Sequence, residues 1–170
     1  MQNLANLPSG STIFVDANLL AYFFIRKDEL AQTSGTLLAR GAQKEIAIVT
    51  SALVVSEVIH RVLVAEAIRQ HDLAPREAVQ YLKEHPAIVQ TLREHLTIPS
   101  RLHNRYGINI LPVTHVELHA SRLIRAEYGL MTNDSLVVAV MQRHKIVHLA
   151  TNDSDFERII GIQDWRPVGY

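Results

Sequence analysis

Four acids in this 170-residue chain stand beside apolar runs. Asp16 closes Ser11-Thr-Ile-Phe-Val, Glu57 lies among Val54, Val55, Val58 and Ile59, and Asp134 and Asp153 belong to two copies of Thr-Asn-Asp-Ser at 132–135 and 151–154. Carboxylates gathered at one place repel one another and are costly to desolvate, so they need a counterion. A hard divalent cation is the usual one. Mg²⁺ or Mn²⁺ takes oxygen ligands and leaves positions for substrate phosphates, which suits Asp and Glu in a chain with no Cys. Such a centre can activate a water, align it for in-line attack and stabilise the leaving oxygen, the three demands of phosphodiester hydrolysis.

The elements that would carry these acids follow from the pattern. Residues 11–16 form a short β-branched and aromatic strand ending in Asp16, and Ala17 to Arg26 is helix-forming. A second helix is expected from about Leu30 to Gly41, then a strand at Ile46–Val49, with Thr50 or Ser51 capping a long helix. Val54, Val55, Val58, Ile59, Val62 and Leu63 form its core face. Two or three helices are expected between about Glu66 and Tyr106, punctuated by Pro75, Pro86 and Pro99. Ile108–Val113 reads as a third strand. Thr114 and Glu117 make a capping box for a helix running to about Tyr128, with Gly129 past its end. Thr132 or Asn133 is placed to cap a helix through Arg143, and Lys145–Ala150 reads as a fourth strand.

Strands alternating with helices imply right-handed crossovers and a mostly parallel sheet, a three-layer α/β/α sandwich in one domain spanning 1–170. Sites in such sheets form at the carboxyl ends of the strands, which would bring all four acids to one edge. A chain of this length can bury roughly 70% of its unfolded surface, so it needs no disulfide or structural metal. The absence of Cys excludes thiolate zinc sites and thiol catalysis. Seventeen basic and seventeen acidic residues give no global pull toward nucleic acid. The N-terminus lacks a signal-peptide pattern and Ile13–Ile25 is too short and too interrupted to span a bilayer, so a cytoplasmic, non-membrane protein is expected.

Taken together, Ile13-Phe-Val-Asp16-Ala-Asn18, Ser56-Glu57 on a helix, Thr132-Asn-Asp134 before an apolar helix and Thr151-Asn-Asp153-Ser-Asp155-Phe156 resemble the PIN-domain family, and within it the VapC-like toxins. The resemblance implies a PIN-like fold and a Mg²⁺- or Mn²⁺-dependent ribonuclease, the toxin of a type II pair neutralised by a cognate antitoxin. By position, Asp16, Glu57, Asp134 and Asp153 match the acidic quartet that binds metal and catalyses. Asn18 and Thr151 match the polar residues supporting it, and Asp155 a less constant acid. The helical middle, about 66–106, is longer than in compact toxins of this kind. RNA is the implied substrate and a homodimer is expected, with part of Leu19–Phe24 available for burial by a second copy or an antitoxin helix.

Other readings stand beside this one. Asp16 can be a helix cap, Asp134 a first-turn acid favoured by the helix dipole, and Asp153 a turn residue. A PIN-like RNA-processing nuclease without antitoxin would use the same acids. A phosphoaspartyl hydrolase also places Asp after its first strand, but needs a second Asp where this chain has Asn18. A non-catalytic binding module would not need four mutually repelling acids. His115 and His119 have a zinc-compatible spacing, yet Glu117 is not where a peptidase motif needs its base. Arg26, Lys27, Arg122, Arg125, Arg143 and Lys145 could line an approach for phosphates, or simply face solvent. Trp165 and Tyr170 are expected to pack.

Overall fold

The computed structural model describes residues 2–167, and Tyr170 lies outside them. Six strands form one sheet: β1 (Gln2–Asn3), β2 (Thr12–Val15), β3 (Ala47–Ser51), β4 (Asn109–Leu111), β5 (His148–Ala150) and β6 (Gln163–Arg166). Their order is β1-β6-β5-β2-β3-β4, and every pairing is parallel. The three-layer α/β/α reading therefore holds, with a sheet wider than expected. β1 and β6 are additional to the four strands anticipated, and β6 is inserted between β1 and β5.

The chain first winds outward from β2 to β3 and β4, then returns to β5 on the other side of β2. Right-handed crossovers place the helices of these two journeys on opposite faces. The outward journey uses α1 (Ala17–Ile25), α2 (Glu29–Ala42) and α3 (Ala52–His71), and α1 packs on both α2 and α3. After the middle region, the return uses α7 (His115–Tyr128) and α8 (Thr132–Arg143), which pack on each other.

Local chemistry explains where these elements start and stop. Ser51 caps α3 by accepting the Val54 N–H on its hydroxyl, 3.3 Å. Thr114 and Glu117 form the expected capping box of α7, and Gly129 ends that helix at φ 66°, a left-handed conformation that favours glycine. α8 differs from expectation. Its cap is Met131, with no side-chain cap bond, so Thr132 and Asn133 are already helical and Asp134 sits in the first turn. In α2, Gly41 lets the helix approach β3 closely; a Cβ there would stand 2.5 Å from Ile48 Cδ1.

The core runs through β2, β3 and β5 and the inner faces of α1, α3 and α8. Ile13, Phe14, Val15, Val58, Val138, Val140 and Leu149 are all buried within it. Trp165 packs into the same cluster and donates its indole N–H to His148 Nδ1 at 3.0 Å. The middle region comprises α4 (Pro75–Glu84), α5 (Pro86–Val89), α6 (Ile98–Ser100) and short 3₁₀ and π turns. A satellite cluster of Ala67, Leu82 and Leu92 ties it to α3. Buried Glu66 does the same with polar bonds, accepting the backbone N–H groups of Arg93 and Glu94 at 2.9 Å each. Among the described residues no helix is long and apolar enough to cross a membrane.

Candidate metal centre

β2 and β5 are neighbours at the point where the winding reverses, and a cleft at the carboxyl ends of the strands is the natural site of such a sheet. The structure brings the chain together there in detail. The Asp16 N–H donates to the Ala150 carbonyl at 3.0 Å, so the residue after β2 is held against the last residue of β5. Asp16 also caps α1: Oδ1 accepts the Ala17 N–H at 2.6 Å. Capping and membership of the acidic cluster are thus not alternatives. The same carboxylate does both.

Thr151 organises the other side. Its hydroxyl, fully buried, donates to Asp16 Oδ2 at 2.9 Å and accepts from Asn18 Nδ2 and from the Asp153 N–H, each at 3.1 Å. Asn18 Oδ1 in turn accepts the Asn152 N–H at 3.3 Å, and Asn152 reaches the Tyr22 hydroxyl. Asp153 Oδ1 accepts the Asp155 N–H at 2.8 Å, which makes Asp153 the cap of a 3₁₀ turn, Ser154–Arg158. Asn18 and Thr151 therefore hold Asp16 and the Asp153 loop in one polar network.

The remaining acids arrive from two helices. Glu57, about two turns into α3, is partly buried and paired with Arg61. Asp134 is partly buried at the mouth of α8. Burial is the main reason that the Asp16 carboxyl is pushed up to about 6; the two hydrogen bonds from Ala17 and Thr151 oppose it, and the charges of Glu57 and Asp134 add to it. Asp134 is raised as well, first by burial and then by Asp153, Asp155 and Glu57, with Arg158 in opposition. Each of the four acids thus lies within electrostatic reach of others in the set.

Among the described residues no three His, Asp or Glu side chains already converge on one point. The quartet is an open array of carboxylates rather than a closed cage. Its chemistry still fits a hard cation: the donors are all oxygen, Asp16 and Asp134 are both raised by burial and by neighbouring acids, and a divalent ion would relieve both.

Three arginines around this array were not anticipated from sequence. Arg61 pairs with Glu57, Arg158 stands 3.3 Å from Asp155, and Arg166 on β6 reaches the Asp153 carbonyl. The i,i+4 spacing of Glu57 and Arg61 was a readable signal. Of the cations proposed to line an approach, Arg143 is spent on the buried carboxylate of Glu117, Arg26 pairs with Asp28, and Arg125 bonds Ser121 and Ser135. Burial alone would raise the Glu117 carboxyl, but bonds from Thr114 and Arg143 outweigh it and hold it down at about 2. His115 and His119 are both exposed and belong to no metal-ligating group among the described residues.

The profile of the PIN domain matches residues 13–161, a span from β2 to just beyond the 3₁₀ turn after Asp153. The chain belongs to the PIN domain family. Ribonuclease VapC2 of Methanocaldococcus jannaschii is 29% identical over 147 residues, which cover 86% of this chain and 88% of that protein. Ribonuclease VapC6 of the same organism is 25% identical over 151 residues, 89% of this chain and 94% of its own. These similarities make this a VapC-like PIN domain. A solved toxin-antitoxin complex from Klebsiella pneumoniae shares the fold at 22% identity and a TM-score of 0.54, covering 90% of this chain and 96% of that one.

Proposed function

We propose that this PIN domain is a divalent-metal-dependent ribonuclease and the toxin of a type II toxin-antitoxin pair, working in the cytoplasm as a homodimer. One observation supports the catalytic reading: four acids from separate elements each lie within electrostatic reach of others in the set near the β2/β5 switch point, in a chain similar along most of its length to two proteins named ribonucleases. Asp16, Glu57, Asp134 and Asp153 would hold Mg²⁺ or Mn²⁺. When bound, the ion supplies charge neutralisation at the phosphodiester and an activated water. Thr151 and Asn18 keep Asp16 oriented, and Asp155 lends further negative charge at the rim. Arg61 and Arg158, both about half exposed and paired with Glu57 and Asp155, would meet RNA phosphates.

A groove that includes Arg61, the partner of Glu57, supports the partner reading. A cavity of about 410 Å³ lies between α1, α3 and α4, lined by Tyr22, Ile25, His60, Arg61, Val64 and Ile68 among others. It is mostly apolar and includes Tyr22 from the Leu19–Phe24 stretch, so an apolar antitoxin segment would cover it and approach the acids at the same time.

The test is cleavage of RNA by purified protein with Mg²⁺ or Mn²⁺. Wild type should cut and EDTA should stop it, while Asp134→Asn should lose at least about a hundredfold in rate, since removing a charge-stabilising group at a reacting centre typically costs that much. Equal cleavage by wild type and Asp134→Asn would refute the assignment.

A further inference from the structure

Arg166 is a cation in a costly place. Its side chain is only 11% exposed, on the strand β6 next to β5. A guanidinium withdrawn from water needs both charge partners and hydrogen-bond acceptors. Glu157 Oε1 stands 2.7 Å from Nη2 and Asp164 Oδ2 stands 3.3 Å from Nε. The remaining contact is the informative one: Nη2 donates to the carbonyl oxygen of Asp153 at 3.1 Å.

That contact completes a three-point grip on one acid of the site. The Asp153 N–H is held by the Thr151 hydroxyl, its Oδ1 by the Asp155 N–H, and its carbonyl by Arg166. Glu157 belongs to the same 3₁₀ turn, so a single nitrogen of Arg166, Nη2, touches that turn at both ends, at Asp153 and at Glu157. The anchor strand is rigid, because β6 pairs with both β5 and β1 and its Trp165 is buried in the main core.

We propose that Arg166 is a positioning residue for the metal centre: it fixes the backbone of Asp153 so that the carboxylate faces Asp16 and Asp134. This rests on the metal reading of the acids given above. Residues that orient metal ligands from outside the ligand shell typically change metal affinity by 10–100-fold when removed.

The experiment compares metal-free wild type, Arg166→Met, Arg166→Lys and Glu157→Gln by two readouts: Mn²⁺ affinity from calorimetric titration, and amide exchange of Asp155 measured by NMR without metal. Arg166→Met should bind Mn²⁺ about tenfold more weakly and exchange the Asp155 amide faster, and Arg166→Lys, which keeps the charge, should recover part of both. Unchanged affinity and exchange in Arg166→Met would overturn the proposal. Should that variant fail to fold, Glu157→Gln decides, because Glu157 is a half-exposed partner whose charge helps hold Nη2 against the turn. Faster Asp155 exchange in it supports the proposal, and exchange at the wild-type rate overturns it. A wild type that binds no Mn²⁺ would instead refute the metal reading itself, and the two failures are told apart by titrating the wild type first.

Discussion

Replacing Asp16 by Asn should stabilise the metal-free protein at neutral pH, although Asp16 lies at the centre of the candidate site. The folded carboxyl is raised from 3.8 to about 6. A raised carboxyl binds its proton more tightly in the folded chain, so its favourable contribution is complete below about 4 and is lost as pH climbs through about 6. The full loss is about 3 kcal/mol at 1.36 kcal/mol per unit, and about 2.4 kcal/mol of it falls between pH 4 and 8. Asn cannot ionise and escapes it. Asn keeps one acceptor oxygen for the Ala17 and Thr151 donors, so it loses one bond, about 1 kcal/mol at every pH. The variant should therefore be no more stable than wild type at pH 4 and about 2 kcal/mol more stable at pH 8. Relief of Glu57 and Asp134 adds in the same direction. Calorimetric melting in EDTA at pH 4, 6 and 8 would show the wild type losing about 5–10 °C relative to the variant over that range. Mn²⁺ should reverse the ranking at pH 8, since a ligand at a hundred times its Kd stabilises by about 2.7 kcal/mol and the variant has lost a ligand. A melting difference that does not change with pH would refute the burial and repulsion argument.

Two further outcomes follow from buried groups around the site. Thr151→Val removes a fully buried hydroxyl that serves Asp16, Asn18 and the Asp153 N–H; it should cost about 1–3 kcal/mol by denaturant unfolding and weaken Mn²⁺ binding at the same time, and a variant with wild-type stability would contradict the network. Glu66→Gln leaves one of two backbone N–H groups without its acceptor and puts an amide in a buried place, so exchange at Arg93 and Glu94 should accelerate and stability should fall by about 1–3 kcal/mol, with Mn²⁺ affinity unaltered; loss of Mn²⁺ binding would mean that the middle region shapes the site.

What was legible in the sequence was what local chemistry encodes. The Ser51 cap, the Thr114–Glu117 box and the Gly129 stop rest on contacts within four residues, and the strand before Asp16 is announced by its β-branched and aromatic residues. β6 was not legible. It is joined to β5 by twelve residues, 151–162, that hold only a 3₁₀ turn, and its Asp164 and Arg166 make it read as a polar tail. A parallel pair normally announces itself by a helix between its strands, and this one does not. Glu66 was equally opaque, because its partners stand 27 and 28 residues away. Of the cations, Arg143 looked free on its helix only because Glu117, on another helix, is invisible to a one-element reading.

The two Thr-Asn-Asp-Ser copies show how little the four letters decide alone. In the first, the tetrapeptide is the opening turn of α8: Thr132 is exposed, while Ser135 is buried and turns its hydroxyl onto the Thr132 carbonyl at 2.7 Å. In the second, Thr151 to Asp153 leave β5 and Ser154 opens the 3₁₀ turn; Thr151 is buried at the heart of the Asp16 network and Ser154 is exposed. Helix and strand thus invert which hydroxyl is inside. The Asp escapes this inversion. It is third in each copy and partly buried in both, because a first-turn helical position and the residue three beyond a strand end can both open onto the carboxyl edge of the sheet. Two unrelated backbones bring the two Asp residues within electrostatic reach of each other. On the metal reading, one demand for carboxylates accounts for both Asp residues; helix capping does not account for Asp134, because Met131 caps α8, whereas Asp153 also caps the 3₁₀ turn that follows it.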